Sequence, residues 1–230
     1  MNGFDVILDD NFSFHDEGIY AIERPNIPVT VPSYRTEKVE KRDGDLTFFT
    51  GFKDRDIEIK FNFIDTENVT LRIRKILPKI LFAKKIRFTD DIDIFYKIKK
   101  VKLDPPERSY RWVCDFSLIV TLEPFAYIES EDIVLTENTT ITNFGYDSEP
   151  IIRVYGTGNL SFTITGQNVT VNNVDEYVDI DTNAMRCYKE TTNMLPNMVN
   201  DFQILKNGEN DIHLGTNVTK LVITPNFRYL

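Results

Sequence analysis

Between Trp112 and Leu122 every second residue is apolar: Trp112, Cys114, Phe116, Leu118, Val120 and Leu122 alternate with polar or less demanding neighbours until Pro124 stops the run. Successive side chains on a strand point to opposite faces, so an alternation of this length specifies a half-buried β-strand and excludes a helix. The pattern recurs. Ile57, Ile59, Phe61 and Phe63 point one way, with Glu58, Lys60 and Asn62 opposite, and Ile92, Ile94, Tyr96 and Ile98 repeat it. Arg42-Asp43-Gly44-Asp45 lies between two extended runs, and Asp-Gly there signals a hairpin. Trp112 shares the phase of Phe116 and Leu118, which predicts that it is largely buried. The aromatic residues, 17 Phe and 10 Tyr against a single Trp, suit a pleated β-core.

One segment breaks the period. From Glu67 to Phe82, the residues Val69, Ile73, Ile76, Leu77, Ile80 and Leu81 recur at spacings of three and four, with Arg72, Arg74, Lys75 and Lys79 on the other faces. This predicts one helix, capped by Asp65 or Thr66 and kinked or ended near Leu77 by Pro78.

A chain of 230 residues exceeds the usual single-domain size of about 100–150 residues, which predicts two domains. The acidic stretch Glu129-Ser130-Glu131-Asp132 suggests a boundary, giving domains 1–132 and 133–230. Beyond it come short strands at Ile151–Tyr155, Leu160–Thr165, Asn168–Val171, Tyr177–Ile180, Arg186–Lys189, Phe202–Leu205, Asp211–Leu214 and Leu221–Ile223. Gly156-Thr157-Gly158, Asn172-Asn173 and Asn207-Gly208-Glu209-Asn210 read as the turns between them. The expected fold is mainly β, an N-terminal sandwich-like domain with one helix followed by an antiparallel β-sandwich.

The formal charge of -9 is unevenly placed. Residues 1–120 hold 21 basic and 21 acidic side chains, and residues 121–230 hold 6 and 15, so the second half carries the whole excess. Within the first half, residues 1–65 are net -6 and residues 72–102 are net +8. These opposite fields cancel within the chain or meet across copies of it. Arg72, Lys75, Lys84 and Lys85 are the candidate subunit contacts. The acidic second half disfavours DNA binding by that half, since phosphates demand positive charge.

Nothing in the chain reads as catalytic, cofactor-binding or metal-ligating. His15 and His213 stand alone, Cys114 and Cys187 have no ligand spacing, and the Asp179/Asp181 pair lacks the glycine and distal glutamate of a calcium loop. No nucleophile elbow, phosphate loop or dinucleotide fingerprint is present. The start, Met1-Asn2-Gly3-Phe4-Asp5, lacks the basic and apolar regions of a secretory signal, and the apolar runs fall far short of the roughly 20 residues that span a bilayer. The six Asn-x-Ser/Thr sequons, at Asn11, Asn68, Asn138, Asn159, Asn168 and Asn217, then read as polar strand and turn residues.

The order of elements resembles a known family. The Lys41-Arg42-Asp43-Gly44 hairpin, the helix ending near Ile76-Leu77, Phe88-Thr89-Asp90-Asp91 and Leu122-Glu123-Pro124-Phe125-Ala126-Tyr127 resemble the N-terminal domain of the distal tail proteins of long-tailed bacteriophages. Thr142-Asn143-Phe144-Gly145-Tyr146-Asp147-Ser148-Glu149-Pro150, Gly156-Thr157-Gly158, Leu205-Lys206-Asn207-Gly208-Glu209-Asn210 and Pro225-Asn226-Phe227-Arg228 are similar to that family's second domain. The resemblance spans essentially the whole chain. It implies a first domain that closes into a hexameric ring and a galectin-like sandwich outside it. It also implies a place at the virion tail tip, assembled in the bacterial cytoplasm without membrane insertion. The ring would lie between the tail tube and the baseplate, the fibre or tail-associated lysin proteins, with the tape measure protein and DNA passing through it. The expected role is structural and without cofactors. Two alternatives stay open: a carbohydrate-binding module of a host-recognition apparatus, with Tyr155, Tyr177 and Tyr188 as stacking residues, and a hydrolase using an unrecognised carboxylate pair.

Overall fold

The computed structural model describes residues 4–65, 69–110 and 112–230. The chain is mainly β, with a single α-helix among the described residues. It divides into two compact units, one running to Ala126 and the other from Tyr127 to Tyr229. The acidic stretch 129–132 therefore belongs to the second unit.

The first unit contains β1 (Val6–Leu8), β2 (Phe12–Ser13), β3 (Ile19–Ala21), β4 (Pro32–Glu37), β5 (Leu46–Phe52), β6 (Arg55–Ile64), α1 (Val69–Leu81), β7 (Lys85–Phe88), β8 (Asp91–Leu103), β9 (Glu107–Tyr110) and β10 (Val113–Leu122). Seven strands run in the antiparallel order β2-β1-β7-β8-β10-β6-β3. β8 serves two neighbours: Asp91 to Lys97 lie opposite β7, and Ile98 to Leu103 lie opposite β10. The alternation is obeyed to the letter in β6 and β10, where buried residues take every second place. Phe61 stacks on both Phe14, with ring centroids 4.3 Å apart, and Phe116, at 5.2 Å. α1 buries Val69, Ile73, Ile76 and Ile80 in the same core, whereas Leu71 and Leu81 face solvent. Each such buried side chain contributes about 1.5–3 kcal/mol relative to an exposed one.

β11 (Ala126–Ile128) spans the boundary, and the second unit contains β12 (Ile133–Leu135), β13 (Thr139–Asn143), β14 (Ile151–Gly156), β15 (Gly158–Ile164), β16 (Gln167–Val174), β17 (Tyr177–Asp181), β18 (Arg186–Lys189), β19 (Thr192–Asn193), β20 (Met198–Val199), β21 (Gly208–Leu214), β22 (Val218–Thr224) and β23 (Arg228–Tyr229). One sheet runs β12-β22-β14-β17-β18-β19 and the other β13-β21-β15-β16-β20. They enclose an apolar core that includes Ile152, Val154, Phe162, Val178, Ile180, Ile212 and Leu221. The chain crosses between sheets at Gly156-Thr157-Gly158, where a Cβ on Gly156 would stand 2.1 Å from the Asn217 carbonyl oxygen. Only glycine fits.

Several local expectations need correction. Trp112 is 41% exposed, because β10 begins only at Val113 and the pairing with β9 shifts register between Val113 and Cys114. Pro78 does not end α1. It sits on the exposed side of the last turn, and the helix continues to Leu81. Thr66, one of the expected caps, lies outside the described residues. Ile92 is exposed at the start of β8. Asn172-Asn173 is no turn but a bulge inside β16, where Asn173 takes φ 56° and its N–H donates to Asn159 Oδ1. Phe202–Leu205 is not a strand; Leu205 alone bridges to Ser148. Gly208, Glu209 and Asn210 belong to β21. Asn210 is fully buried because its side-chain amide replaces backbone partners: Oδ1 accepts from Lys206 N at 2.9 Å, and Nδ2 donates to the carbonyls of Lys206 at 2.9 Å and Gly208 at 3.1 Å.

Candidate functional site

Most of the basic segment is answered within its own unit. Lys85 Nζ lies 2.7 Å from Asp10, Arg87 lies 3.1 Å from the other oxygen of that carboxylate, and Lys99 lies 2.6 Å from Asp54. Lys79 reaches Glu17 at 3.5 Å and Arg72 reaches Asp65 at 3.6 Å. Arg72 also stands over the Phe63 ring and Lys85 over the Phe95 ring. Lys84 donates its backbone N–H to Asp9, but its ammonium and that of Lys75 are exposed and have no partner among the described residues. The four candidate contacts are thus of two kinds, Arg72 and Lys85 held internally and Lys75 and Lys84 facing outward.

A second surface was not read from the sequence. β4 and β5 pair with each other and, among the described residues, with no other strand. Tyr34, Phe48 and Phe49 are each about half exposed on this hairpin, and Val29 and Val31 precede it in the open. Tyr34, Phe49, Phe52 and Phe125 form a chain of edge-on ring contacts, with centroids 6.0, 5.2 and 5.7 Å apart. An isolated two-stranded hairpin is marginal in water, and exposed apolar residues with open strand edges mark an interaction surface. The adjacent pair Phe48-Phe49 carried a signal: at period two, one of them must face solvent.

In the second unit three of the four segments that carried the family resemblance meet. The Arg228 guanidinium holds Glu149 at 3.0 and 3.2 Å and donates through Nε to the Asp147 carbonyl at 2.7 Å. Ser148 Oγ donates to the Pro225 carbonyl, Asn207 Nδ2 to the Gly145 carbonyl and Asn143 Nδ2 to the Leu205 carbonyl. Gly145 packs so close to Arg228 that a Cβ would lie 2.2 Å from its carbonyl oxygen. These residues bind one another and build a knot, not a ligand site.

The outer face of the β14-bearing sheet carries aromatic and charged side chains. Tyr155 lies opposite Tyr177, Arg153 opposite Asp179, and Asp179 opposite Tyr188. Arg153 grips Asp179 at 2.6 and 2.9 Å, and this hydrogen bonding raises the guanidinium pKa further. Asp181 accepts the Ala184 N–H. Both carboxylates are therefore engaged in structure. Lys220 stands 4.0 Å over the Tyr155 ring, and Arg153 and Lys189 stand 4.7 and 5.2 Å over Tyr177. Beside them a cleft of about 470 Å³ is lined by Arg186, Cys187, Tyr188, Glu190, Thr191, Asn193 and Leu195. Cys114 and Cys187 are buried thiols, one in each unit, and burial pushes Cys187 up to about 11. Among the described residues no three His, Cys, Asp or Glu side chains group to hold a metal, and no helix is long and apolar enough to cross a membrane.

The fold of the whole chain is shared with structural components of bacteriophage tails. It matches the crystal structure of the SPP1 Dit (gp 19.1) protein, described as a paradigm of the hub adsorption apparatus in phages infecting Gram-positive bacteria, with a TM-score of 0.73, 14% identity and all of both chains covered. It also matches chains of the phage p2 baseplate in its activated conformation, with calcium (TM-score 0.52, 12% identity, 99% of this chain and 97% of that one) and with strontium (0.51, 12%, 96% of each). No protein-family model and no curated protein matches the sequence.

Proposed function

We propose that this chain is a distal tail protein, a structural subunit that closes into a hexameric ring at the tip of a phage tail. The observation that carries this reading is the likeness to the SPP1 hub protein along the full length of both chains, first unit and second alike. The ring would join the tail tube to the baseplate and to fibre or tail-associated lysin proteins, with the tape measure protein and DNA passing through its centre. It would be assembled in the bacterial cytoplasm and carried in the virion, and its role is mechanical, without catalysis or cofactor. The second unit is the galectin-like sandwich of that family.

Closing a ring requires one face of each subunit to meet a different face of the next. The β4–β5 hairpin supplies an apolar face for this contact, and the outward ammonium groups of Lys75 and Lys84 supply steering charge. Arg72 and Lys85, already held by Asp65 and Asp10, shape the surface around them. Apolar contact must carry most of the affinity, because exposed ion pairs contribute only about 0–1 kcal/mol each.

Sedimentation of the purified chain tests this. Six copies of a 26.8 kDa chain give a particle of about 161 kDa (six times 26.8). Replacing Phe48 and Phe49 by Asp is expected to yield a folded monomer. Replacing Arg72, Lys75, Lys84 and Lys85 by Glu is expected to weaken the oligomer at low salt, where charges are least screened. A wild-type chain that stays monomeric at every concentration overturns the ring.

A further inference from the structure

None of the residues invoked for the ring contact lines the cleft at the edge of the second unit. Its walls come from β18, from the two-residue turn Glu190-Thr191 and from β19, with Glu190 in the left-handed region at φ 52°. The short 3₁₀ turn at Leu195 closes one side. At about 470 Å³ it lies within the roughly 300–1,000 Å³ typical of small-ligand sites.

We propose that this cleft binds a short neutral glycan, with Tyr188 as the stacking platform. Three tyrosines share the outer face, but two are already occupied by the chain's own cations: Tyr155 by Lys220, Tyr177 by Arg153 and Lys189. Tyr188 has no such cation among the described residues, is half-buried opposite Asn193, and is one of the residues that line the cleft. Around it the side chains of Arg186, Glu190 and Thr191 make no hydrogen bond or ion pair among the described residues. Asn193 spends its Oδ1 on the Leu195 N–H at 3.0 Å, which leaves its amide hydrogens to donate.

The chemistry of this lining selects the ligand. Arg186 and Asn193 donate, Glu190 accepts, and the Tyr188 and Thr191 hydroxyls do both. A sugar ring presents hydroxyls that donate and accept around its rim and C–H groups on its face, matching polar walls beside an aromatic platform. One guanidinium and one carboxylate cancel, so the cleft offers no net field to hold a phosphate or an ammonium ion. Cys187 is 1% exposed and packs into the core of the unit with its thiol held protonated, so it gives the cleft no nucleophile.

Saturation-transfer NMR on the full chain with glucose, galactose, rhamnose, N-acetylglucosamine and a purified neutral wall polysaccharide, each in turn, tests the proposal. Transfer to at least one of these is expected, with affinity reduced about tenfold by Tyr188→Ala, the scale of one aromatic contact, and unchanged by Tyr155→Ala. Glu190→Gln, an exposed turn residue whose exchange leaves the fold intact, is expected to weaken binding too. Inorganic phosphate should neither bind nor compete. No transfer from any of the sugars overturns the proposal, as does binding that survives both Tyr188→Ala and Glu190→Gln. The oligomer of each sample is read by light scattering, so a failed ring and a failed glycan site are separate results.

Discussion

Arg228 and Glu149 are 79 positions apart in sequence, yet the guanidinium of one meets the carboxylate of the other at 3.0 and 3.2 Å. The arginine side chain is 7% exposed and the glutamate 34%, so the pair ties the C-terminal segment to the start of β14 largely out of water. Glu149→Ala is expected to cost about 3 kcal/mol, the low end for breaking a buried pair, because Arg228 would stay buried without the carboxylate that holds two of its nitrogens. Asp175→Ala, removing the 91% exposed partner of Lys189, should change stability by less than about 1 kcal/mol. Urea denaturation of both variants checks the contrast. Equal costs would show that burial does not set the strength of these pairs.

Asn210 is expected to be as sensitive as a core residue. Replacing it by Ala leaves the backbone groups of Lys206 and the Gly208 carbonyl without the partners the amide supplies. The expected loss is about 2–3 kcal/mol, within the range for buried groups left unsatisfied. Asn207→Ala, on an exposed position, serves as the reference, although it too gives up a bond to Gly145. A smaller loss at 210 than at 207 would contradict the assignment.

Stability should fall at alkaline pH through Cys187. Its thiol is raised from 9.0 to about 11, so the folded state keeps a proton that the unfolded state releases first. The contribution is full below about pH 9 and is lost as pH rises through 11. Burial raises Tyr96 in the same sense and adds to the decline. Thermal unfolding of wild type and Cys187→Ala between pH 8 and 11 separates the two, and identical slopes would remove Cys187 from the account.

Trp112 gives a direct optical test. It is the only tryptophan, and its 41% exposure predicts that iodide quenches its emission in the folded protein nearly as well as it quenches a surface residue. A wholly shielded signal would place it in the core.

Sequence and structure divide cleanly at the range of the interactions involved. β6, β10 and α1 were legible because their patterns are local: a period of two or of three to four is imposed by backbone geometry within a few residues. The same local logic failed at Asn172-Asn173 and at Asn207 to Asn210. At Asn173 the backbone N–H goes to Asn159 Oδ1 in the neighbouring strand, and Asn210 folds its amide back on Lys206 and Gly208 from a buried place inside β21, so a residue type that usually marks an open turn is built into a strand at both places.

The surfaces were less legible than the strands. Arg72 and Lys75 look equivalent in the sequence, one paired with Asp65 and the other facing solvent only because of how α1 sits on the sheet. Tyr155, Tyr177 and Tyr188 likewise looked interchangeable until cross-strand neighbours set cations over two of them. The sequence by itself determined the β class, the single helix and the phase of the core-facing residues, since covalent geometry translates spacing into faces. Only the tertiary structure decided which polar side chains are spent on each other and which remain open, because partners such as Arg228 and Glu149 are chosen by packing between distant strands.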